Sequence, residues 1–170
     1  MITNEDMLGK LPGTQQQLKP DVQSVVMASS RVPISIRKKL KNELDRLVEM
    51  RVITPVEEPT PWVSQIVVTP NKSGEICVCM DPQELNKVLL REHYTLPVLE
   101  DVLHEMSGSK VFAKADLSSG YWHVILDDTS ILLTTFQTNF GRYRWPRLPF
   151  GLNVSSEIFQ RPTWSGVHRR

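Results

Sequence analysis

The clearest pattern along the chain is a run of apolar residues at helical spacing between residues 35 and 50. Charged and polar side chains fill the other side, and the apolar positions are Ile36, Leu40, Leu44, Leu47 and Val48. Because residues three or four apart share one face of a helix, this pattern predicts an amphipathic helix. The same spacing predicts shorter helices over residues 82–90 and 97–106, and another over 153–160 that ends at Pro162.

Apolar runs bounded by turn residues predict the strands. Residues 63–69 and 76–80 flank a Pro- and Gly-containing turn over 70–74, which predicts a hairpin. A second hairpin is predicted from 132–138 and 142–146, and a short buried strand over 111–115 ends at Asp116. Hairpins and helices follow one another without a regular strand-helix-strand series, so the predicted fold class is α+β.

Composition and charge describe a globular domain without naming its function. The chain has 170 residues, of which 40% are apolar and 23% charged, and this excludes wholesale disorder. The formal net charge is only +1, so nucleic-acid binding has to be argued from local basic clusters. No apolar stretch approaches the roughly 20 residues that span a bilayer, and no apolar leader follows Met1.

The cysteines bear on the cellular compartment. Cys77 and Cys79 alternate within a predicted strand, so both side chains point to the same face. This spacing favours two reduced thiols over a disulfide framework. We therefore expect an intracellular protein, cytoplasmic or nuclear.

Two residues are candidates for chemistry, and one acidic pair has a simpler explanation. Asp116 follows a buried strand, where a carboxylate can hold a magnesium ion, although taken alone this position is better explained as a cap for the next turn. Tyr121 follows the small residues 118–120 and could form a floor for a nucleotide, or simply pack in the core. The pair Asp127-Asp128 is better explained by a turn than by metal binding.

Two basic clusters could track a phosphate backbone. The predicted first helix carries Arg37, Lys38 and Lys41 on its polar side, interspersed with acidic residues. Arg142 and Arg144 alternate with aromatic residues on a predicted strand and could line a template groove. A solvated helix face and a solvated hairpin face are the competing explanations.

Taken together, several blocks in order resemble the reverse transcriptase of gypsy-type LTR retrotransposons. The resemblance covers residues 32–161, and its most specific blocks are RVPISIRKKLKNELDRLVEMRVITPVEEPTPWVSQIVVTPNKSGEICVCMDPQELNKVL, REHYTLPVLEDVLHEMSGSKVFAKADLSSGYWHV and TTFQTNFGRYRWPRLPFGLNVSSEIFQR. It implies a right-hand polymerase fold, with a fingers subdomain plus a truncated palm. The predicted organisation is a lead-in over 1–30, the polymerase region over 31–161 and a non-family tail over 162–170.

The resemblance also implies roles for individual residues. Asp116 matches the first catalytic, metal-binding aspartate, and Leu117 matches the residue whose backbone carbonyl reaches the Mg²⁺ ion. The implied nucleotide-binding residues are Lys72 at phosphate, Tyr121 as the gate against a ribose 2′-hydroxyl, and Phe150 with Gly151 against the new base pair. Asp81 and Asn86 match an element that holds the fold together. Template-primer and dNTP are the implied partners.

Departures from the family pattern lead to an expectation of inactivity. Cys77 stands where the family usually has an arginine that reaches the nucleotide triphosphate. The Tyr/Phe-x-Asp-Asp hairpin that supplies further carboxylates is absent. We expect an exposed palm-sheet edge that favours self-association. The alternative hypothesis is a domesticated or remnant nucleic-acid-binding or interaction module without catalysis.

Overall fold

The structure is a computed structural model and describes residues 8–12, 16–19, 21–70, 74–91, 100, 103–104, 106–111 and 117–167. Its helices are α1 (Ile34–Glu49), α2 (Gln83–Val88), a 3₁₀ helix (Gly120–His123), α3 (Asp128–Leu133) and α4 (Ser155–Val167). Its strands are β1 (Leu11–Pro12), β2 (Thr54–Val56), β3 (Gln65–Pro70), β4 (Ile76–Asp81), β5 (Val124–Ile125), β6 (Phe136–Thr138) and β7 (Gly141–Arg144). Helices and small sheets mix along the chain, which confirms the predicted α+β class.

Helix α1 forms as its apolar pattern predicts. Leu40, Leu44 and Leu47 are buried, and Ile36 and Val48 pack against the same core. Burying a leucine side chain contributes about 1.5–3 kcal/mol, so this one face anchors the helix. The polar face, with its lysines and arginines, is left toward solvent.

The predicted hairpin over residues 63–80 is also confirmed. Strands β3 and β4 pair antiparallel from Gln65 opposite Asp81 to Pro70 opposite Ile76. Along β4 the burial alternates, with Val78 and Met80 in the core and the two cysteines on the other face. The turn itself falls on residues 71–73, outside the described part of the chain.

The second hairpin is confirmed over a shorter span. Strands β6 and β7 pair antiparallel, and β2 adds to the other side of β7. The expectation of strand from residue 132 is wrong, because 132 and 133 belong to helix α3. The Asp127 side chain caps that helix by accepting from the backbone amides of Thr129 and Ser130, a local signal that outweighs strand propensity.

The end predicted for the last helix is wrong as well. Helix α4 runs from Ser155 to Val167 and continues through Pro162. Proline fixes φ near −65°, which is a helical value, so a helix that passes through it loses one hydrogen bond and bends. Of the predicted helix over 97–106 only residues 100, 103, 104 and 106 are described, and the predicted strand over 111–115 lies mostly outside the described residues.

The described parts of the first 30 residues lie along the domain in extended form. Strand β1 pairs parallel with β5, and Leu8 is buried. Further along, the Lys19 amide donates to the Val88 carbonyl, and residues 25 and 27 pair with Val63. The predicted domain boundary at residue 30 stays a prediction. None of the helices among the described residues has the length and apolar character to cross a bilayer.

Candidate nucleotide and nucleic-acid site

Tyr121 stands at the centre of an aromatic cluster that joins two distant parts of the chain. Its ring centroid lies 4.7 Å from that of Phe150 and 5.4 Å from that of Phe159 on α4. Its hydroxyl lies 3.0 Å from the Ser156 hydroxyl. The two ring contacts and the contact of the hydroxyl hold the Tyr121 ring in one orientation. The neighbouring Phe150 side chain stays 40% exposed.

The turn before Tyr121 allows this close packing. Ser119 adopts a left-handed conformation with φ of 53°, which turns the chain into the 3₁₀ helix. A β-carbon on residue 120 would lie 3.1 Å from the Phe159 ring, so glycine leaves room for α4 to approach. Trp122, the next residue, is buried in the core.

Gly151 is fixed against β4 by two independent constraints. Its φ is +111°, and an added β-carbon would stand 2.1 Å from the Met80 carbonyl oxygen. Asn86 secures the same turn, because its side-chain amide donates to the Gly151 carbonyl at 2.9 Å and accepts from the Asn153 amide at 3.0 Å. Asn86 therefore joins α2 to the turn that carries Phe150, which fits the fold-holding role expected of it.

The N-terminal segment braces the 3₁₀ helix from behind. The Gly9 amide donates to Nδ1 of His123 at 2.7 Å, so Nδ1 is unprotonated and Nε2 donates to the Ser118 carbonyl. The Arg147 guanidinium donates to the carbonyls of Gly9 and Trp122, and burial lowers its pKa. Sequence reasoning missed the two contacts of Gly9, because partners more than 100 residues apart in the chain leave no local pattern.

The basic residues on α1 differ in how far they are already engaged. Lys41 pairs with Asp45, an exposed ion pair that raises the pKa of the lysine. Arg37 is exposed and donates through Nε to the Val32 carbonyl, and Lys38 is exposed. Exposed ion pairs add little stability because water screens them, so Lys41 could exchange Asp45 for a phosphate at little cost.

The basic residues on β7 are tied to neighbouring side chains. Arg142 donates to Gln137 at 2.9 Å, and Arg144 pairs with Glu58 at 2.8 Å. The intervening Tyr143 and the following Trp145 are buried and pack against Phe136. The expectation that these aromatic residues line a template groove is therefore wrong, because they belong to the core.

The remaining predicted residues divide between described and undescribed parts of the chain. Asp116 and Lys72 lie outside the described residues, and Leu117 is 48% exposed. Among the described residues, no group of three or more His, Cys, Asp or Glu side chains could hold a metal ion. The four hydrogen bonds that Asp127 accepts from Thr129 and Ser130 explain this aspartate as a helix cap.

Comparison with known proteins supplies the family. The profile of the reverse transcriptase (RNA-dependent DNA polymerase) family matches residues 19–163. The chain is 30% identical over 154 residues to the retrovirus-related Pol polyprotein from transposon 412 of Drosophila melanogaster, covering 86% of this chain and 12% of that protein. It is 31% identical over 127 residues to the enzymatic polyprotein of cauliflower mosaic virus strain CM-1841, covering 74% of this chain and 19% of that protein.

A solved structure supports the fold. The prototype foamy virus protease-reverse transcriptase superposes with a TM-score of 0.70 at 21% identity, covering 85% of this chain and 19% of that one. The chain thus spans less than a fifth of the length of these relatives. The α+β architecture of the chain is therefore consistent with a polymerase fold. On the match over residues 19–163, the chain belongs to the reverse transcriptase (RNA-dependent DNA polymerase) family.

Proposed function

We propose that the chain supplies the fingers and the front of the palm of a gypsy-type retrotransposon RNA-directed DNA polymerase, with template-primer and dNTP as its partners. The observation that carries this proposal is the contact between Tyr121 and Phe150, whose ring centroids are 4.7 Å apart. The resemblance assigns both residues to the nucleotide, and they come from segments 29 positions apart that share a single surface.

In this proposal the aromatic cluster forms one wall of the nucleotide site. Tyr121 is the gate beside the sugar, and its fixed ring gives a rigid stop against a 2′-hydroxyl. The half-exposed Phe150 and the backbone of Gly151 lie against the forming base pair. Lys72 contributes a charge at phosphate. Any change that frees the Tyr121 ring should weaken discrimination between ribose and deoxyribose.

The nucleic-acid backbone is proposed to run along the polar face of α1. Arg37 and Lys38 are exposed there, and Lys41 is available at the small cost of one exposed ion pair. Arg142 and Arg144 are weaker members of the set, because each is engaged by a neighbouring side chain. Lysine and arginine at phosphate release counterions, so binding should weaken as salt rises.

Reverse transcriptases generally use divalent metal ions, and the proposal assigns Mg²⁺ to Asp116 with the backbone carbonyl of Leu117. The described residues offer no alternative carboxylate cluster. Two-metal chemistry needs several carboxylates around ions about 3.5–4 Å apart, and the sequence's only Asp-Asp pair includes the helix cap Asp127. We therefore propose that these 170 residues alone do not extend a primer.

Cys77 is proposed to lower nucleotide affinity independently. A thiol cannot replace the planar guanidinium of the arginine that the family usually has at this position, which can donate two parallel hydrogen bonds to a phosphate. The loss should amount to about 2 kcal/mol or more, even in a chain with every other part of the site present.

The second candidate function is nucleic-acid binding or protein interaction without catalysis, inside the cell. It is favoured by the exposed basic face of α1, which does not involve Asp116. Self-association through a sheet edge is a weaker part of this proposal. Two edges in the described part of the chain are covered, since Ser64 bridges to β6 and Arg147 bridges to β5.

A primer-extension assay tests the catalytic part of the proposal. Purified chain is mixed with an RNA template, a DNA primer, dNTPs and Mg²⁺ or Mn²⁺, and template-primer binding is measured in the same preparation. We expect binding without extension. A product that disappears in Asp116→Asn would show that the chain polymerises by itself. If the chain neither binds template-primer nor extends the primer, both the polymerase proposal and the nucleic-acid-binding proposal are rejected.

A further inference from the structure

Cys77 and Cys79 form a pair of thiols on one exposed face of β4. Their sulfur atoms lie 3.6 Å apart, and across the hairpin they face Thr69 and Val67. Both are free cysteines, with Cys77 exposed and Cys79 half-buried. Val78 and Met80, on the opposite face of β4, are buried in the core. Their packing fixes the strand and keeps both cysteine side chains on its other face.

Cys77, the more exposed member of the pair, lies at an open groove between β4 and α1. The groove has a volume of about 750 Å³, and Cys77 lines it together with Lys39, Asn42, Glu43 and Arg46 of the helix. A volume of roughly 300–1,000 Å³ accommodates a small organic group. A single atom bound to both sulfurs could therefore place an organic substituent of that size in the groove beside Cys77.

The sulfur spacing favours a shared centre over a disulfide. A disulfide requires sulfurs about 2.0 Å apart, and residues two apart on a strand have α-carbons separated by about 6.6–6.8 Å, at the upper limit for such a bond. Two sulfurs bound to one atom at about 2.3 Å lie roughly 3.3–3.8 Å apart for bond angles between 90° and tetrahedral. The observed 3.6 Å falls within that interval.

The number of ligands decides which class of centre fits. Structural zinc takes four protein ligands, and in the described part of the chain no third His, Cys, Asp or Glu completes a cluster here. A trivalent arsenic atom that already carries one organic group needs two thiols and nothing more. We propose that Cys77 and Cys79 form a two-thiol site for monosubstituted trivalent arsenicals, R–As=O, with the R group in the groove.

The reaction balances without an added oxidant or reductant. Two S–H bonds and the As=O bond break, two As–S bonds form, and both protons leave on the oxygen as one water molecule. Arsenic stays trivalent throughout. Burial raises the pKa of the Cys79 thiol to about 11, so this thiol carries its proton at neutral pH. The proposal does not rest on the chain's being part of a polymerase.

Phenylarsine oxide and the intact chain provide the test. The sequence contains two cysteines in all, so thiol titration and intact mass report on this site alone. We expect one arsenical per chain, loss of both titratable thiols, resistance to a large excess of a monothiol and release by a dithiol. Cys77→Ser and Cys79→Ser should each weaken binding at least 100-fold. An adduct of different stoichiometry, or single variants that bind as tightly as the parent chain, would overturn the proposal.

A second measurement separates the folded site from a Cys-x-Cys segment that chelates when unfolded. A ligand that prefers the folded chain raises its thermal midpoint. We expect phenylarsine oxide to raise the midpoint of the parent chain and to leave Cys77→Ser unchanged. Equal affinity for the folded chain and for the chain in denaturant, with no rise in the midpoint, would show that β4 does not build the site.

Discussion

Gly151 lies so close to Met80 that a β-carbon at residue 151 would stand 2.1 Å from the Met80 carbonyl oxygen. The φ of Gly151 is also +111°, in a region that side chains rarely adopt. Gly151→Ala should therefore lower the free energy of unfolding by at least about 2 kcal/mol, since it adds a clash with backbone to the conformational strain. Chemical denaturation measures the change.

Gly141→Ala is the matched control for that substitution. Gly141 has a φ of +126°, but nothing lies within 4 Å of the position of an added β-carbon. It should cost about 1–2 kcal/mol from backbone strain alone. Equal losses in the two variants would mean that the approach of the turn to β4 is not tight.

Asn86 offers a second test of how that turn is held. Asn86→Ala removes the side-chain bonds to the Gly151 carbonyl and the Asn153 amide, and should lower the free energy of unfolding by about 1–2 kcal/mol. At neutral pH Asn86→Asp keeps an acceptor for Asn153 but, as a carboxylate, has no donor for the Gly151 carbonyl, so it should be less stable than the parent chain. This loss should shrink at low pH, where the protonated carboxyl can donate. An alanine variant as stable as the parent would contradict the bridging role.

Asp127 is predicted to act as a helix cap and not as a metal ligand. Asp127→Ala should cost about 1 kcal/mol in the free energy of unfolding, because two amides of α3 lose their acceptor. Asp128→Ala, one residue into the helix, should cost only about 0.3–0.5 kcal/mol through the helix dipole. Adding Mg²⁺ should leave the difference between the two variants unchanged, and a Mg²⁺-dependent difference would reopen the metal hypothesis.

Because Asp127 caps α3 as a carboxylate, the free energy of unfolding should depend on pH. Burial alone would raise the pKa of this carboxyl, but hydrogen bonds from Ser130 and Thr129 outweigh it, so the pKa is lower than usual. A carboxyl with a lowered pKa stabilises the fold above its unfolded-state pKa of about 3.9, and this stability is lost as the pH falls. The difference in free energy of unfolding between the parent chain and Asp127→Asn should therefore be largest at neutral pH and shrink below about pH 4. A difference that stays constant from pH 7 to pH 3 would contradict the assignment.

The spacing of apolar residues and the positions of turn residues correctly predicted those helices and strands that depend on nearby residues in the chain. Helix α1 and the β3-β4 hairpin follow from the spacing of apolar residues and the turn between the strands. The missed helix α3 depends on side-chain capping by Asp127, and the continuation of α4 through Pro162 depends on a backbone that proline can still adopt. Both are cases in which a specific local interaction outweighs the general tendency of a residue type.

Individual residues of the candidate site could be predicted from the sequence, but the contacts between distant segments could not. Tyr121 and Phe150 were singled out by resemblance, and their contact appears only once the chain is folded. The contacts of Gly9 with His123 and Arg147, which brace the 3₁₀ helix, join residues more than 100 positions apart, and no periodicity encodes such contacts. The burial of Tyr143 and Trp145 is likewise a result of tertiary packing, since the same alternation would suit an exposed face.

The central claim, that this chain engages template-primer through α1, is tested most directly by fluorescence anisotropy with a labelled RNA-DNA template-primer at several salt concentrations. Lys38→Glu is compared with Lys10→Glu, which makes the same change of charge at an exposed position outside α1. The account predicts that Lys38→Glu weakens binding roughly ten-fold near 0.1 M salt and reduces the salt slope by about 1, while Lys10→Glu changes affinity by less than about two-fold. Absence of binding by the parent chain, or equal effects of the two variants, would contradict it.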